Sequence, residues 1–552
     1  MNKVKIKYNN NLYEYYEGAT LLDISKKFAN DYKYEIIIGE IDGDMYELSQ
    51  TVDKDCEVKF YDLTSQIGNK VYERGLIFLF ISAVKEMLKK DVKVSHSIDK
   101  GIYCEILGDY SITETDIVNV KNKIKEYIDN KISFSKILTS RLSAMNYYDS
   151  SKQYDKSKAL KYIIRNNILM YRFNGMFDYF FGEMPIDSSY IKYFDISYIN
   201  SNSVVLLFPN IYIEGNIKTY EHPDKVFDAF RKFSDWGKTQ GIDNVSDLND
   251  FITSGKIQEL IYISESNQNK RLFDIADSIY NNKNLKMILI AGPSSSGKTT
   301  TAMKLKAYLK SMGLKPHTIS IDDYFLNRDE TPKDAEGNYD FESVRAIDVN
   351  LFNDHLTKLL DGEEVVMPTF NFIKGEKVFN KKLKLEKCGI LIIEGLHALN
   401  DELTASINDE NKYRIYISPL TCINIDNHNR VTTSDLRLLR RMVRDNMSRG
   451  YNASKTLESW RLVRKGEEKY VFPYQNKNEV VFNSSLIYEL GVLRIYAEPL
   501  LFSVKHDDPN YNEAVRLINL IRSALPISGE NLPYDSILRE FIGSNYFKIG
   551  DE

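Results

Sequence analysis

The chain has 552 residues, of which 43% are hydrophobic and 27% are charged, and its formal net charge is −5 at pH 7. This length is too great for one hydrophobic core, so we expect roughly three or four globular domains. The slightly acidic balance gives no overall basic field, and therefore no support for nucleic-acid binding by the chain as a whole.

The amino terminus lacks the apolar core of a signal peptide, and the longest apolar run, residues 75–84, is too short to span a bilayer. Four cysteines, Cys56, Cys104, Cys388 and Cys422, form no C-x-x-C pair. Two of them lie inside apolar, strand-like runs, so we expect reduced, buried thiols. We therefore expect a soluble cytoplasmic protein with no membrane partner.

Residues 1–62 predict a small α/β unit. Val4 and Ile6 alternate with lysines, a turn at residues 9–11 leads into a second strand, and Thr20 begins a capping box. Further strands follow in the segments EIIIGEIDGD and CEVKFYDL. The order of two strands, a helix and two strands favours a β-grasp domain, and the segment EGATLLDIS resembles the TGS domain at the start of threonyl-tRNA synthetases.

Residues 63–220 begin with an apolar helix and contain the segment HSIDKGIYCEI around His96. This part resembles the second additional domain of threonyl- and alanyl-tRNA synthetases, whose editing members carry H-x-x-x-H, a Cys and a further His. Lys100 stands where the second His is required, and Cys104 has no nearby His partner. We therefore expect no metal-dependent editing and a structural role for His96. The aromatic-rich segment 177–209 is either a set of core strands or a surface for RNA or a small molecule; we favour the core.

Residues 221–283 place apolar side chains at three- and four-residue steps, which predicts a helical connector. In residues 284–552 strand and helix patterns alternate, which predicts a doubly wound parallel sheet. The expected fold class is α/β: a C-terminal P-loop domain with a doubly wound parallel sheet, preceded by the β-grasp domain and an α+β domain of the synthetase-editing type.

An apolar strand, a glycine-edged loop and a helix follow one another in the segment MILIAGPSSSGKTTT, residues 287–301. The loop fits G-x-x-x-x-G-K-[ST], whose backbone N–H groups point at a bound phosphate. We expect Lys298 to reach the β- and γ-phosphates of a nucleoside triphosphate and the Thr299 hydroxyl to ligate Mg²⁺. The predicted nucleotide-binding residues are Gly292, Pro293, Ser294, Ser295, Ser296, Gly297, Lys298, Thr299 and Thr300.

Two later strands end in acids. The segment HTISIDDYF ends with Asp322 and Asp323, and CGILIIEGLHALN carries Glu394 after a buried strand. Ligands of open α/β sheets lie beyond the carboxyl ends of the strands, where an acid can accept a proton from an attacking hydroxyl or hold Mg²⁺. A solvated or helix-capping Asp pair and a strand-end Glu without a metal are the alternatives.

A basic helix is predicted in the segment DLRLLRRMVRDNMSRG. Arg437, Arg440, Arg441 and Arg444 share one face of it, and the helix itself carries too few acids to neutralise them. Crowded guanidinium groups repel one another unless an anion joins them. Beside a phosphate loop we expect this face to bind a transferring phosphoryl group, and the alternative is a solvated basic face.

Six segments in order, GPSSSGKTT, SIDDYF, NYDFE, MPTFNF, IIEG and RLLRRMVRDNMSRG, resemble the uridine kinase and phosphoribulokinase family over about residues 284–500. The whole layout resembles a group of bacterial nucleoside kinases with synthetase-like amino-terminal domains. The resemblance implies ATP and Mg²⁺ as cofactors and phosphorylation of the 5′-hydroxyl of a uridine- or cytidine-like nucleoside.

The resemblance also implies a role for each matched residue. Asp322 would take the proton of the 5′-hydroxyl, and Lys298, Arg444 and Arg449 would act on the phosphates. Asp340 and Arg441 would hold the ribose, Phe370 would stack near the base, and Thr299 and Glu394 would bind Mg²⁺.

Three departures leave the base open. Gly375, Tyr451 and Ser459 stand where uridine kinases carry a base-reading His, a lid Arg and a base-reading Gln. A site that hydrogen-bonds its substrate rejects analogues strongly, so the loss of these donors changes or relaxes base selection.

Other functions stay open at this point. The chain could phosphorylate another small hydroxyl compound, such as a sugar phosphate, or act as a nucleotide-dependent regulator that binds tRNA or other RNA through its amino-terminal domains. A regulatory GTPase fits poorly, because residues 476–479 only approximate the guanine-reading N-K-x-D. The apolar C-terminal segments, including SILREFIG, either close the kinase core or form an oligomer contact, and we expect a homo-oligomer.

Overall fold

The computed structural model describes residues 2–209, 211, 217, 219–333, 337, 339–371, 374–421 and 423–547. Cys422 and one residue each of the NYDFE and MPTFNF segments, Asn338 and Phe372, lie outside the described residues. Among the described residues, no helix is both long enough and apolar enough to cross a membrane.

A five-stranded sheet with a short helix against it forms the first part of the chain. Its elements are β1 (Lys3–Tyr8), β2 (Asn11–Tyr16), β3 (Ala19–Thr20), α1 (Leu21–Ser25), β4 (Ile38–Ile41), β5 (Asp44–Tyr46), β6 (Thr51–Val52) and β7 (Cys56–Tyr61). The strand order is β2-β1-β7-β4-β5, with β1 and β7 parallel and the other neighbours antiparallel. The β-grasp assignment of this part stays a prediction.

A long apolar helix and two antiparallel sheets form the second part. Its elements are α2 (Gln66–Leu88), β8 (Val92–Ile98), β9 (Gly101–Ile106), α3 (Glu114–Asp129), β10 (Ser135–Ser140), α4 (Arg141–Ser150), α5 (Tyr154–Lys161), β11 (Asn167–Phe173), β12 (Met176–Asp178), β13 (Asp195–Asn200) and β14 (Ser203–Leu207). The sheets have the orders β13-β14-β9-β8 and β10-β11-β12. The apolar run of α2 and the strand β14 lie in one core, as favoured for the aromatic-rich segment.

Three helices follow: α6 (Asp224–Thr239), α7 (Val245–Thr253) and α8 (Ile257–Asn281). Phe230 of α6 stacks on the His96 ring, with centroids 3.8 Å apart and ring planes at 11°. Burial lowers the pKa of His96 to about 3, so the imidazole is neutral at physiological pH. His96 therefore has the structural environment expected for it.

The carboxyl-terminal part contains a five-stranded, fully parallel sheet of order β16-β19-β15-β20-β21. Its elements are β15 (Met287–Ala291), α9 (Lys298–Ser311), β16 (Lys315–Ser320), α10 (Val349–Leu360), β17 (Glu364–Asn371), β18 (Glu376–Lys384), β19 (Gly389–Glu394), β20 (Lys412–Ser418), α11 (Thr433–Arg449), α12 (Ala453–Tyr470), β21 (Val480–Asn483), α13 (Glu489–Phe502), α14 (Tyr511–Ile521) and α15 (Arg539–Ile542). Because the strands are parallel, the segments after β15, β16 and β19 meet at one edge of the sheet.

The cysteines differ from one expectation. Cys56 and Cys104 are buried free thiols, but Cys388 is exposed. The prediction of a buried thiol is wrong for Cys388 because this residue occupies the turn before β19, where its φ of 65° lies in the left-handed region.

A buried polar cluster joins the second part to the carboxyl-terminal part. Lys156 pairs with one carboxylate oxygen of Asp178, and His428 Nδ1 lies 2.5 Å from the other. The Tyr179 hydroxyl donates to Asp426 at 2.5 Å. Burial alone would raise the pKa of Asp178, but Lys156 and His428 hold it at about 2. We call these five residues the junction cluster.

Removing the cation of the junction cluster should destabilise the protein. Lys156→Ala leaves Asp178 and Asp426 buried without their ammonium partner, which costs about 3 kcal/mol or more. Urea unfolding followed by tryptophan fluorescence would show the shift. The control is Lys161→Ala, since Lys161 forms an exposed ion pair with Asp250 at 3.2 Å and should cost about 1 kcal/mol or less. Equal effects of both substitutions would contradict the role of the junction cluster.

Candidate active site

The loop between β15 and α9 is shaped by its backbone. Ser295 and Gly297 adopt positive φ angles of 59° and 87°. A Cβ at Gly292 would lie 2.1 Å from the Ile417 carbonyl oxygen, so only glycine fits there. Lys298 Nζ donates to the carbonyl of Gly292 at 3.0 Å. The loop therefore has the close backbone turn that a phosphate requires.

The loop is held from outside by a buried ion pair. Glu467 of α12 accepts the Ser294 N–H at 2.8 Å and pairs with Arg437 of α11. Arg437 Nε in turn donates to the Ser294 carbonyl at 2.9 Å. One residue of the loop thus has both backbone groups fixed by side chains of other helices.

The expected basic face of α11 is divided. Arg437 and Arg440 are only 1% and 0% exposed. Arg437 pairs with Glu467, and Arg440 Nε donates to Glu489 of α13 at 2.8 Å. The prediction that all four arginines bind an anion is wrong for Arg437 and Arg440. Carboxylates of neighbouring helices already neutralise both side chains.

The remaining arginines of α11 face the site. Arg441 Nη1 donates to the Ser294 hydroxyl at 2.9 Å. Arg441, Arg444 and Arg449 share one carboxylate, that of Asp445, at 3.2, 3.5 and 3.1 Å. Within the described residues, Arg444 Nε is buried without a hydrogen-bond partner. Three guanidinium groups on one carboxylate leave positive charge for a bound anion.

The two acids after β16 have different environments. Asp323 accepts the Phe370 N–H at 3.2 Å and so holds the end of β17. Asp322 lies in the cleft, where enclosure raises its pKa while Lys298, with Arg449 and Arg444, opposes the shift. Its side chain stays accessible to solvent, so water reduces that shift. Asp322 and the arginines therefore face the same space.

Glu394 ends β19 beside Asp322. Burial, and then the charge of Asp322, raises its pKa, and the Ser320 hydroxyl donates to it at 3.1 Å. Among the described residues, no group of three or more His, Cys, Asp or Glu side chains could hold a metal ion. The oxygens of Glu394 and Thr299 fit Mg²⁺, which takes few protein ligands and keeps water and phosphate oxygens.

Asp340 accepts a hydrogen bond from the Tyr470 hydroxyl of α12 at 3.0 Å. The Phe370 ring is buried, with its centroid 5.7 Å from that of Phe325.

Sequence reasoning missed Glu342, two residues after Asp340. Burial, and then Glu467, raises its pKa to about 7, while Arg441 lowers it. The sequence signal that could have identified Glu342 was its position in the NYDFE segment.

Two regions of the chain are similar to different known proteins. Residues 287–487 match the model of the Phosphoribulokinase / Uridine kinase family. The uridine kinase of Halobacterium salinarum is 24% identical over 193 residues, which cover 35% of this chain and 77% of that protein. The amino-terminal region is similar to the threonine–tRNA ligase of Ehrlichia chaffeensis, which is 24% identical over 172 residues, or 31% of this chain.

These similarities are partial. The chain spans 27% of the length of the Ehrlichia ligase. Among solved structures, D-glycerate 3-kinase from Cryptococcus neoformans is 14% identical and covers 37% of this chain and 87% of its own, with a TM-score of 0.26.

The raised pKa of Glu342 predicts a pH-dependent stability. Its pKa is about 7 when folded against a usual 4.5, so the folded chain keeps a proton that the unfolded chain loses. This contribution is present below pH 4.5, is lost as the pH rises through 7, and is on the order of 3 kcal/mol. Glu342→Gln should remove this part of the pH dependence from the ligand-free thermal midpoint.

The matched control is Glu376→Gln, because Glu376 is exposed on β18. It should keep the wild-type slope between pH 5 and pH 8. An unchanged slope in Glu342→Gln would show that Glu342 does not hold the proton.

Proposed function

We propose that the part matching the phosphoribulokinase and uridine kinase family makes this chain a kinase that transfers the γ-phosphoryl group of ATP to the 5′-hydroxyl of a uridine- or cytidine-like nucleoside. One observation carries the proposal: Asp322 lies at the carboxyl edge of the parallel sheet, in the field of Lys298 and of the α11 arginines. A base, an anion-binding loop and several cationic groups at one place suit phosphoryl transfer to an alcohol.

The loop and its neighbours act on the phosphates. The backbone N–H groups at the start of α9 bind phosphate oxygens, and Lys298 turns from its loop carbonyls to the β- and γ-phosphates. Arg444 and Arg449 neutralise charge that develops on the equatorial oxygens. Mg²⁺, held by Thr299 and Glu394 together with phosphate and water oxygens, would supply further positive charge.

Asp322 acts on the acceptor. Its carboxylate accepts the proton of the 5′-hydroxyl as the oxygen forms a bond to the γ-phosphorus and the bond to the β–γ bridging oxygen breaks, releasing ADP. Enclosure raises the pKa of Asp322, which favours its taking a proton. Positioning and charge neutralisation supply most of the acceleration.

Acceptor recognition involves Asp340, Arg441 and Phe370, and we add Glu342 because the charge of Arg441 acts on it. At Gly375, where uridine kinases carry a His, a Cβ would lie 3.0 Å from the Arg328 Cβ. The Arg328 side chain thus fills space that a larger residue at position 375 would need. A cationic group there also supports the second candidate, a kinase for a sugar phosphate or another small anionic alcohol.

The amino-terminal half is proposed to combine a TGS-like domain with a domain of the second-additional type, on the strength of its similarity to threonine–tRNA ligases. Contact with tRNA and assembly into a homo-oligomer belong to the same proposal.

Substitutions of the loop lysine and of the base test the assignment. Lys298→Ala and Asp322→Asn should each lower kcat by about 100-fold or more, because each removes a group that acts on the reacting atoms. A coupled assay of ADP release with ATP, Mg²⁺ and uridine would measure it. Asp323→Asn is the matched control, since its amide oxygen can still accept the Phe370 N–H and the rate should stay near wild type. Near-wild-type rates in Lys298→Ala and Asp322→Asn would refute the proposal.

A panel of acceptors decides between the two candidates. Nucleosides should give the highest kcat/KM for ADP release, with sugar phosphates at least about tenfold lower. A sugar phosphate as the best acceptor would replace the nucleoside assignment and keep the kinase assignment.

A further inference from the structure

The last described segment of the chain, residues 533–547, lies on the first turn of α9. The Glu540 carboxylate accepts the Thr300 N–H at 3.1 Å. Asn545 Nδ2 donates to the Thr300 hydroxyl at 3.1 Å. Two side chains from the end of the chain therefore contact one residue of the predicted nucleotide site.

Apolar side chains of residues 533–547 pack into the hydrophobic core of the carboxyl-terminal part. Ile537, Leu538 and Phe541 are at most 1% exposed and belong to the core that includes the inner strands of the parallel sheet. A Cβ at Gly297 would lie 2.7 Å from Ile537 Cγ2, so the loop and the segment fit closely. The Glu540 carboxylate is thus held at the loop by its neighbours in the chain.

A salt bridge fixes the start of the same segment. Lys304 Nζ of α9 lies 3.0 Å from Asp535 Oδ2 and donates to the Asp535 carbonyl at 3.1 Å. The segment is therefore attached to α9 at two successive turns, through Thr300 and through Lys304.

The Glu540 carboxylate lies at the position that we propose for a nucleotide phosphate, on the Thr300 N–H. An anion that accepts a backbone N–H at a helix amino terminus makes the interaction that a nucleotide phosphate makes there. The Glu540 charge also acts on Arg444, one of the proposed phosphate-binding groups, and on Glu394. A phosphate on the Thr300 N–H and the Glu540 carboxylate cannot occupy the same place, and their negative charges repel.

We propose that residues 533–547 form an autoinhibitory latch, in which Glu540 takes the place of a nucleotide phosphate and must leave Thr300 before ATP can bind. The proposal rests on the proposed function in one respect, that the loop binds a nucleoside triphosphate. The structure described here is the closed state. Apparent affinity for ATP is then reduced by the fraction of molecules that are closed.

Nucleotide binding by latch variants tests the proposal. In the full chain, Glu540→Gln keeps the size of the side chain and removes its charge, and Glu540→Ala removes the contact. Both should bind ATP about tenfold more tightly than wild type, measured by titration calorimetry with Mg²⁺, since a charged hydrogen bond at a helix terminus is lost only from the closed state. The control is Glu530→Gln, an exposed residue before the segment, which should leave the affinity unchanged.

The outcomes separate the latch from the kinase assignment. Unchanged or weaker ATP binding in both Glu540 variants, with wild type still binding ATP and Lys298→Ala not binding it, would overturn the latch alone. Absence of ATP binding in wild type and in both Glu540 variants would overturn the latch and the proposed function together.

Hydrogen exchange of the wild-type protein gives a second readout that needs no substitution. ATP with Mg²⁺ should raise the hydrogen-exchange rate of the backbone amides in residues 533–547 severalfold, because the opened segment loses its contacts with α9. Equal or slower exchange in that segment with ATP bound would overturn the latch.

Discussion

The site depends on one buried carboxylate. Glu467 of α12 fixes the Ser294 N–H and is itself neutralised by Arg437 and Arg464. Leaving either side of such a buried pair without its partner costs about 3–5 kcal/mol, so the geometry of the loop is tied to the packing of α11 and α12. The backbone of the loop around Ser294 is therefore held in place before any phosphate reaches it.

This arrangement also explains the division of labour along α11. One stripe of the helix faces inward, where Arg437 and Arg440 hold the loop and α13. The next stripe faces the cleft, where Arg441 and Arg444 share Asp445 with Arg449. A single helix thus contributes both to the structure around the loop and to the positive charge of the proposed phosphate site.

The parts of the site that depend on local sequence could be predicted. The glycine-edged loop, the strand-end acid Asp322 and the parallel strands around it follow from patterns within about fifteen residues. The partners of Arg437 and Arg440 could not, because Glu467 and Glu489 are brought near by tertiary packing. Glu540 was missed for the same reason, since it approaches Thr300 from 240 residues further along the chain. The pattern in the SILREFIG segment predicted an apolar helix but did not indicate that this helix contacts Thr300.

The junction cluster has a consequence for synthesis of the chain on the ribosome. Asp178 lies in β12, but His428, its partner, is made 250 residues later. At about 5–20 residues per second, this polar interior waits on the order of ten seconds to a minute for its missing groups. The front half therefore leaves the ribosome with its Lys156–Asp178 pair formed but without His428 and Asp426, and the junction cluster is completed only after the carboxyl-terminal part has been made.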